Sequence, residues 1–305
     1  MVTCLVALLP ISIGALVTTL KAGMAFADWP TSDGQNMLLY PWLQDLRHTD
    51  KFVEHGHRLA GVLIGIVSIV LVGLTQWKKT PRWVKAYAIA ILVAVICQGL
   101  LGGMRVRMNA QVLAMTHSIT GGLFFTLCFT FVVLLNSQGV SRAESDHRLS
   151  PISFGLGVLL PFVVLSQYVL GGFFRHLGRM LHEHVAGAVV VSCLSIILTF
   201  VIVKSDISTL KRRGWWLISA LLFQVALGLG AWVTKLGLPS FGIVAVANST
   251  QQNIFCSLHT VGGMFLLAVS TGLAVELVMC FRAGQLPGLR TILDSPIGQS
   301  QETIA

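Results

Sequence analysis

FVEHGHRLAG at positions 52–61 and MLHEHVAGAV at positions 180–189 each place two histidines at the edge of an apolar run, and the second segment reads as a repeat of the first. The material around them repeats as well. THSITGGLFF (116–125) matches LHTVGGMFLL (258–267), and a Gln followed by glycines recurs in QGLLGGMRVR (98–107), QYVLGGFFRH (167–176) and QVALGLGAWV (224–233). Such internal similarity describes two copies of one unit. A polar stretch near 137–151, with Ser, Arg, Asp and Glu, joins them and divides the chain into halves at 1–140 and 141–305.

The composition fixes the solvent around those histidines. Hydrophobic residues make up 54% of the chain and charged residues 11%, which is the balance of a membrane protein. Runs long enough to cross a bilayer lie near 2–20, 59–77, 84–103, 117–136, 152–173, 184–203, 214–234 and 256–281. The expected fold is therefore an all-α integral membrane protein of about eight transmembrane helices, arranged as two pseudo-symmetric four-helix bundles. Pro10 and Pro161 make the first and fifth spans the weakest. The first span has no A-x-A-like cleavage site and reads as a retained helix. An even number of spans in each half gives both halves the same orientation, related by an axis along the membrane normal.

Lys78, Lys79, Arg82, Lys85, Arg142, Arg148, Lys204, Lys211, Arg212 and Arg213 fall in the connections after the second, fourth and sixth spans. By the positive-inside rule both termini then lie in the cytoplasm. Membrane topology accounts for most of the net charge of +9, so no nucleic-acid partner is implied; the partner it implies is the lipid bilayer. The cysteines sit in or at the ends of spans and form no C-x-x-C pair, as small buried hydrophobes do.

His57, His117, His184 and His259 mark the openings of the second, fourth, sixth and eighth spans, all at one face. Ionisable groups in a membrane are costly and face the bundle interior, so four at matched depth point to two ligand pairs. Two histidines per half, with no shared cysteine or carboxylate cluster, suit axial ligation of haem iron better than tetrahedral zinc. Packing histidines or a polar cavity are the plainer alternatives. Residues two apart on a helix point about 200° apart, so only one of His55/His57 and one of His182/His184 can face its bundle. His57 and His184, which lie deeper, are favoured. His48 and His147 read as solvated loop residues, and His176 borders a candidate site.

The halves differ in one chemical respect. Glu54 precedes His57 by one helical turn, where Leu181 precedes His184. A carboxylate there could serve as base, nucleophile or cation stabiliser, or more plainly hold a histidine tautomer. Arg58, Arg105, Arg107 and Arg175 share the histidine level and could bind haem propionates, or simply lipid headgroups. Glu276 lies far along the last span and takes no role. The long first outer loop, 21–56, could roof the first site.

GALVTTLKAGMAFADWPTSDG (14–34), the E-x-x-H-R motif formed by Glu54, His57 and Arg58, QGLLGGMRV and the histidine opening the fourth helix together resemble the haem A synthase family. The resemblance covers essentially the whole chain and is strongest in its first half. It implies an enzyme that oxidises the C8 methyl of haem O to the formyl group of haem A for haem-copper oxidases. It further implies that His57 and His117 bind the substrate haem, that Glu54 takes part in catalysis, and that His184 and His259 hold a haem b cofactor. The implied location is a bacterial-type plasma membrane with haem sites toward the outer side, and the implied partners are haem O synthase and oxidase assembly factors. This chain lacks the paired outer-loop cysteines of one branch. FFRHLGRMLHEH (173–184) is shorter than the family's usual loop, and Val185 stands where an Arg would follow the histidine. A di-haem b-type electron carrier and a histidine-lined transporter are the competing classes.

Overall fold

The computed structural model describes residues 1–136, 151–205 and 207–285. Among these, eight helices are long and apolar enough to cross a membrane: α1 (Val2–Thr19), α2 (Thr49–Trp77), α3 (Arg82–Met108), α4 (Gln111–Asn136), α5 (Pro151–Leu177), α6 (Leu181–Val203), α7 (Ser208–Leu236) and α8 (Thr250–Gln285). His147 and nearly all of the joining stretch fall outside the described residues.

Several helices begin earlier than hydropathy places them. α2 starts at Thr49 instead of near 59, so the first outer connection is 20–48 and not 21–56. TDKFVEHGHR is too polar to register as a membrane span, yet nothing in it opposes a helix, and Asp50 in the first turn favours the positive helix end. α4 and α8 likewise start well before His117 and His259. The four histidines therefore sit inside helices, where packing on both sides fixes their rings.

Short turns enforce antiparallel neighbours. Asn109 closes α3 in the left-handed region at φ 45°, and Gly178 and Met180, at φ 68° and 65°, turn α5 into α6. The connections 20–48, 109–110, 178–180 and 237–249 consequently share one end of the molecule with the histidines. Within the first half α1 packs on α2, α2 on α3, α3 on α4 and α4 back on α1; α5 to α8 close the same ring. The halves meet where α8 lies against α4 and α1 and where α5 lies against α4. α8 serves both cores: Leu273 and Leu277 join Leu160, Leu198 and Leu217, while Met264 and Ala268 join Ala7, Ile91 and Phe125.

Lipid is as apolar as leucine, so helix association here depends on close packing and on polar links. Gly157 lets Leu277 lie against the α5 backbone, and Gly122 of α4 receives the Tyr168 ring of α5. Glu276, 3% exposed, binds Arg213 of α7 through two contacts, Nε–Oε2 at 2.9 Å and Nη2–Oε1 at 2.7 Å. Removing one member of such a buried pair strands the other charge. Glu276→Ala is expected to cost about 3–5 kcal/mol, read from unfolding in mixed detergent micelles.

Candidate functional site

Each of the four histidines lies on a glycine of the preceding helix. A side-chain carbon on Gly14, Gly102, Gly171 or Gly228 would come within 2.8, 3.0, 2.9 and 2.9 Å of the Cε1 atoms of His57, His117, His184 and His259 respectively. The carbonyl one turn earlier in the same helix faces the Nδ1 edge of each ring. Nδ1 of His57 lies 2.9 Å from the Pro10 carbonyl, and Nδ1 of His184 lies 3.2 Å from that of Gln167. His117 and His259 face the matching carbonyls of Gln98 and Gln224 within electrostatic reach but outside hydrogen-bond geometry. A carbonyl only accepts, so at His57 Nδ1 carries the proton and the lone pair is left on Nε2. This is the tautomer a metal needs, fixed by the backbone of a neighbouring helix.

The recurring Gln-and-Gly segments thus have a physical meaning: Gln supplies the carbonyl and the glycine one turn later makes room for the ring. Three of the four instances were visible in sequence. The fourth, in α1, carries no such signature, because Pro10 stands in place of Gln and only its carbonyl is used. The glutamines add side-chain contacts: Gln167 Nε2 lies 2.7 Å from the His184 carbonyl and 3.0 Å from its Nδ1, and Gln224 Nε2 donates to the His259 carbonyl at 3.1 Å.

The rings then pair. His57 and His117 have centroids 6.1 Å apart at 80°, and His184 and His259 have centroids 6.1 Å apart at 77°. Two metal–nitrogen bonds of about 2 Å each, plus the half-widths of two imidazoles, span roughly that gap. No group of three or more His, Cys, Asp or Glu side chains gathers into a metal site among the described residues, so each pair is suited to a metal that brings its own equatorial ligands. Beside His184 and His259 the helices enclose an apolar cavity of about 310 Å³, bordered by Tyr168, Arg175, Trp232 and Lys235. A residue set of two facing imidazoles in an apolar slot with cations at its rim fits haem.

The other histidines separate cleanly. His55 points away from His117 into the outer loop: it is fully buried, its Nδ1 is 3.2 Å from Ser32 Oγ, and Phe26 and Tyr40 lie at ring distances of 5.8 and 4.9 Å. His182 is exposed. His48 stands at the start of α2.

Glu54 is 1% exposed and has three donors. Its Oε2 accepts from the backbone N–H groups of Ala25 at 2.7 Å and Phe26 at 3.3 Å, and its Oε1 from Arg58 at 2.9 Å. Arg58 also donates to the carbonyls of Asp28 and Thr31, at 3.0 and 2.7 Å. Together they pin the segment 25–31 to α2. Trp29 extends from this segment across the α3 backbone at Gly103, where any side-chain carbon would overlap the indole. Asp28 accepts from the N–H groups of Asp33 and Gly34. Desolvation opposes its charge, but these bonds and that from Thr31 hold its carboxyl below the usual carboxylate range. Gly103→Val is expected to eject Trp29 and speed proteolytic cleavage within 20–48 severalfold, as followed by limited proteolysis.

The arginines differ more than their common level suggests. Arg175 donates to Cys256 O, Thr260 Oγ1, Ala15 O and Thr19 Oγ1 at 3.1, 2.6, 2.6 and 2.8 Å, stitching α5 to α8 and α1. Arg107 is exposed. Arg105 lies over Gly23, within electrostatic reach of His57, His117 and Glu54, and forms no hydrogen bond or ion pair with any described residue.

A multi-pass helical membrane protein with two matched, backbone-oriented histidine pairs belongs to the class that can hold haem between helices. Comparison with known proteins specifies the family: a model described as cytochrome oxidase assembly protein (COX15-CtaA) matches residues 1–183, and the chain belongs to that family. It is similar to the Heme A synthase of Symbiobacterium thermophilum, 30% identical over 183 residues that cover 57% of this chain and 56% of that one. It is also similar to the Heme A synthases of Alkalihalophilus pseudofirmus, 28% identical over 53% of this chain and 54% of that one, and Paracoccus denitrificans, 32% identical over 40% and 33%. The chain thus spans about half the length of the curated relatives it matches. The family match ends just before His184, so the second pair stands on its geometry.

Proposed function

We propose that this protein is a haem A synthase, oxidising the C8 methyl of haem O to the formyl group of haem A for cytochrome oxidase biogenesis. The observation that carries the proposal is the asymmetry between two otherwise matched pairs. Both set two imidazole rings across the same gap, but only the first has a buried carboxylate, Glu54, one turn away. We assign haem O to His57 and His117 and a resident haem b to His184 and His259.

A haem bound in the second half supplies one-electron redox chemistry. The protein's own contributions follow from its contacts. The Pro10 carbonyl holds the proton on Nδ1 of His57, and the Gln167 carbonyl and side chain meet Nδ1 of His184, so both rings are oriented. Arg58 and the loop amides fix the Glu54 carboxylate, which is placed to take a proton or stabilise positive charge as methyl becomes formyl, a four-electron loss at carbon. Trp29, seated on α3 at Gly103 beside the glycine that receives His117, closes that side of the site against bulk water. Arg105, whose donors are uncommitted, binds carboxylate directly. Arg58 and Arg175 act through the loop and the junction between halves, and Arg107 through the surface.

The charge bias of the connections supports termini in the cytoplasm and haem sites toward the outer side of a bacterial-type plasma membrane. Haem O synthase and oxidase assembly factors are the proposed partners. Purification in detergent followed by pigment extraction tests the assignment. Haem b together with haem O or haem A is the expected result. Haem b alone in both sites would favour an electron carrier, and colourless protein would overturn both readings.

A further inference from the structure

At the last turn of α5, two neighbouring residues each leave one polar atom buried and unpartnered: Nε of Arg175 and Nε2 of His176. His176 belongs to the second half by sequence. Its charge partners, however, include Arg105, and His117 of the first half feels it in turn. Arg105 approaches the same place from α3, and its guanidinium has no hydrogen bond or ion pair among the described residues. Glu54, the carboxylate within electrostatic reach of Arg105, is already engaged by Arg58 and two backbone amides. A cation without a partner and the buried, unpartnered Nε2 of His176 converge on the first histidine pair.

Buried polar atoms are nearly always paired, and those that are not call for an explanation. The excess of positive charge and N–H donors over acceptors specifies an anion with oxygen acceptors. A neutral imidazole can present Nε2–H, and guanidinium suits a carboxylate fork. We infer that the carboxylates of the porphyrin bound between His57 and His117 are received by Arg105 of the first half and His176 of the second. The inference rests on the first pair being a haem site. It makes the second half a structural contributor to substrate binding, so the junction of α3, α4 and α5 selects porphyrins that carry free acids.

The test uses the full-length protein with its resident haem, titrated with iron protoporphyrin IX and with its dimethyl ester, and followed by the absorbance change that His117→Ala removes. Wild type is expected to bind the diacid about 10- to 100-fold more tightly than the diester, the range for losing one or two charge-assisted hydrogen bonds. His176→Ala and Arg105→Gln are expected to weaken the diacid about tenfold and leave the diester unchanged, with His176→Gln restoring part of the loss. Equal weakening of both porphyrins, or no discrimination by wild type, overturns the anion site. Titration unaffected by His57→Ala and His117→Ala overturns the haem reading of the first half instead, and the two failures are told apart by that control.

Discussion

Replacing Glu54 by Gln is expected to lower the proposed conversion of haem O to haem A at least 100-fold while both proposed haem sites stay filled. Positioned proton transfer is worth about 10²–10⁴ in rate, and an amide cannot supply it. The substitution has a second consequence. The carboxylate accepts from Ala25 and Phe26 on one oxygen and from Arg58 on the other, whereas Gln offers one acceptor and turns a donor toward one of those sets. The outer loop must loosen too. Arg58→Ala separates the effects, because it removes the loop's anchor and keeps the carboxylate. If the two variants lose activity equally and expose 20–48 to protease equally, Glu54 is a fastener for the loop and its catalytic role is refuted.

The second large effect concerns residues that touch no ligand. Gly102→Val and Gly228→Val are expected to empty the first and second proposed haem sites respectively, whereas Gly99→Val, three residues from Gly102, is expected to be silent. A Cβ at Gly102 or Gly228 meets the Cε1 of His117 or His259 at 3.0 or 2.9 Å, and the further methyls of Val leave the imidazole nowhere to lie; nothing stands within 4 Å of a Cβ at Gly99. Loss of the orienting partner alone costs about 10–100-fold in metal affinity, and displacing the ring adds to that. The measurement is haem content per protein by pyridine haemochrome, read separately for each half from the spectrum that remains. Retention of both haems in Gly228→Val would show that His259 does not bind through the orientation seen here.

These two experiments divide along the line between what is local and what is not. Composition and apolar run length determined a helical membrane protein, because the bilayer leaves backbone polar groups only the helix in which to pair. Repetition of H-x-H, T-H-S/L-H-T and Gln-Gly segments pointed to two equivalent units and singled out His57, His117, His184 and His259, whose rings lie in two pairs at the same separation in the fold. Helical periodicity also put Glu54 on the face of His57.

Tertiary structure decided the rest. Helix starts at Thr49, Gln111 and Thr250 were invisible to hydropathy because polar residues at a membrane edge are still good helix formers. The choice of His57 over His55 came from the outer loop, whose Ser32, Phe26 and Tyr40 close around His55 from far along the chain. Four arginines that look alike in sequence parted company: Arg58 and Arg175 spend their donors on carbonyls of other elements, Arg107 faces outward, and Arg105 remains open. Pro10, read from sequence only as a weak point in the first span, supplies the carbonyl that orients His57. Backbone carbonyls carry no side-chain signature, so their partners emerge only when helices pack.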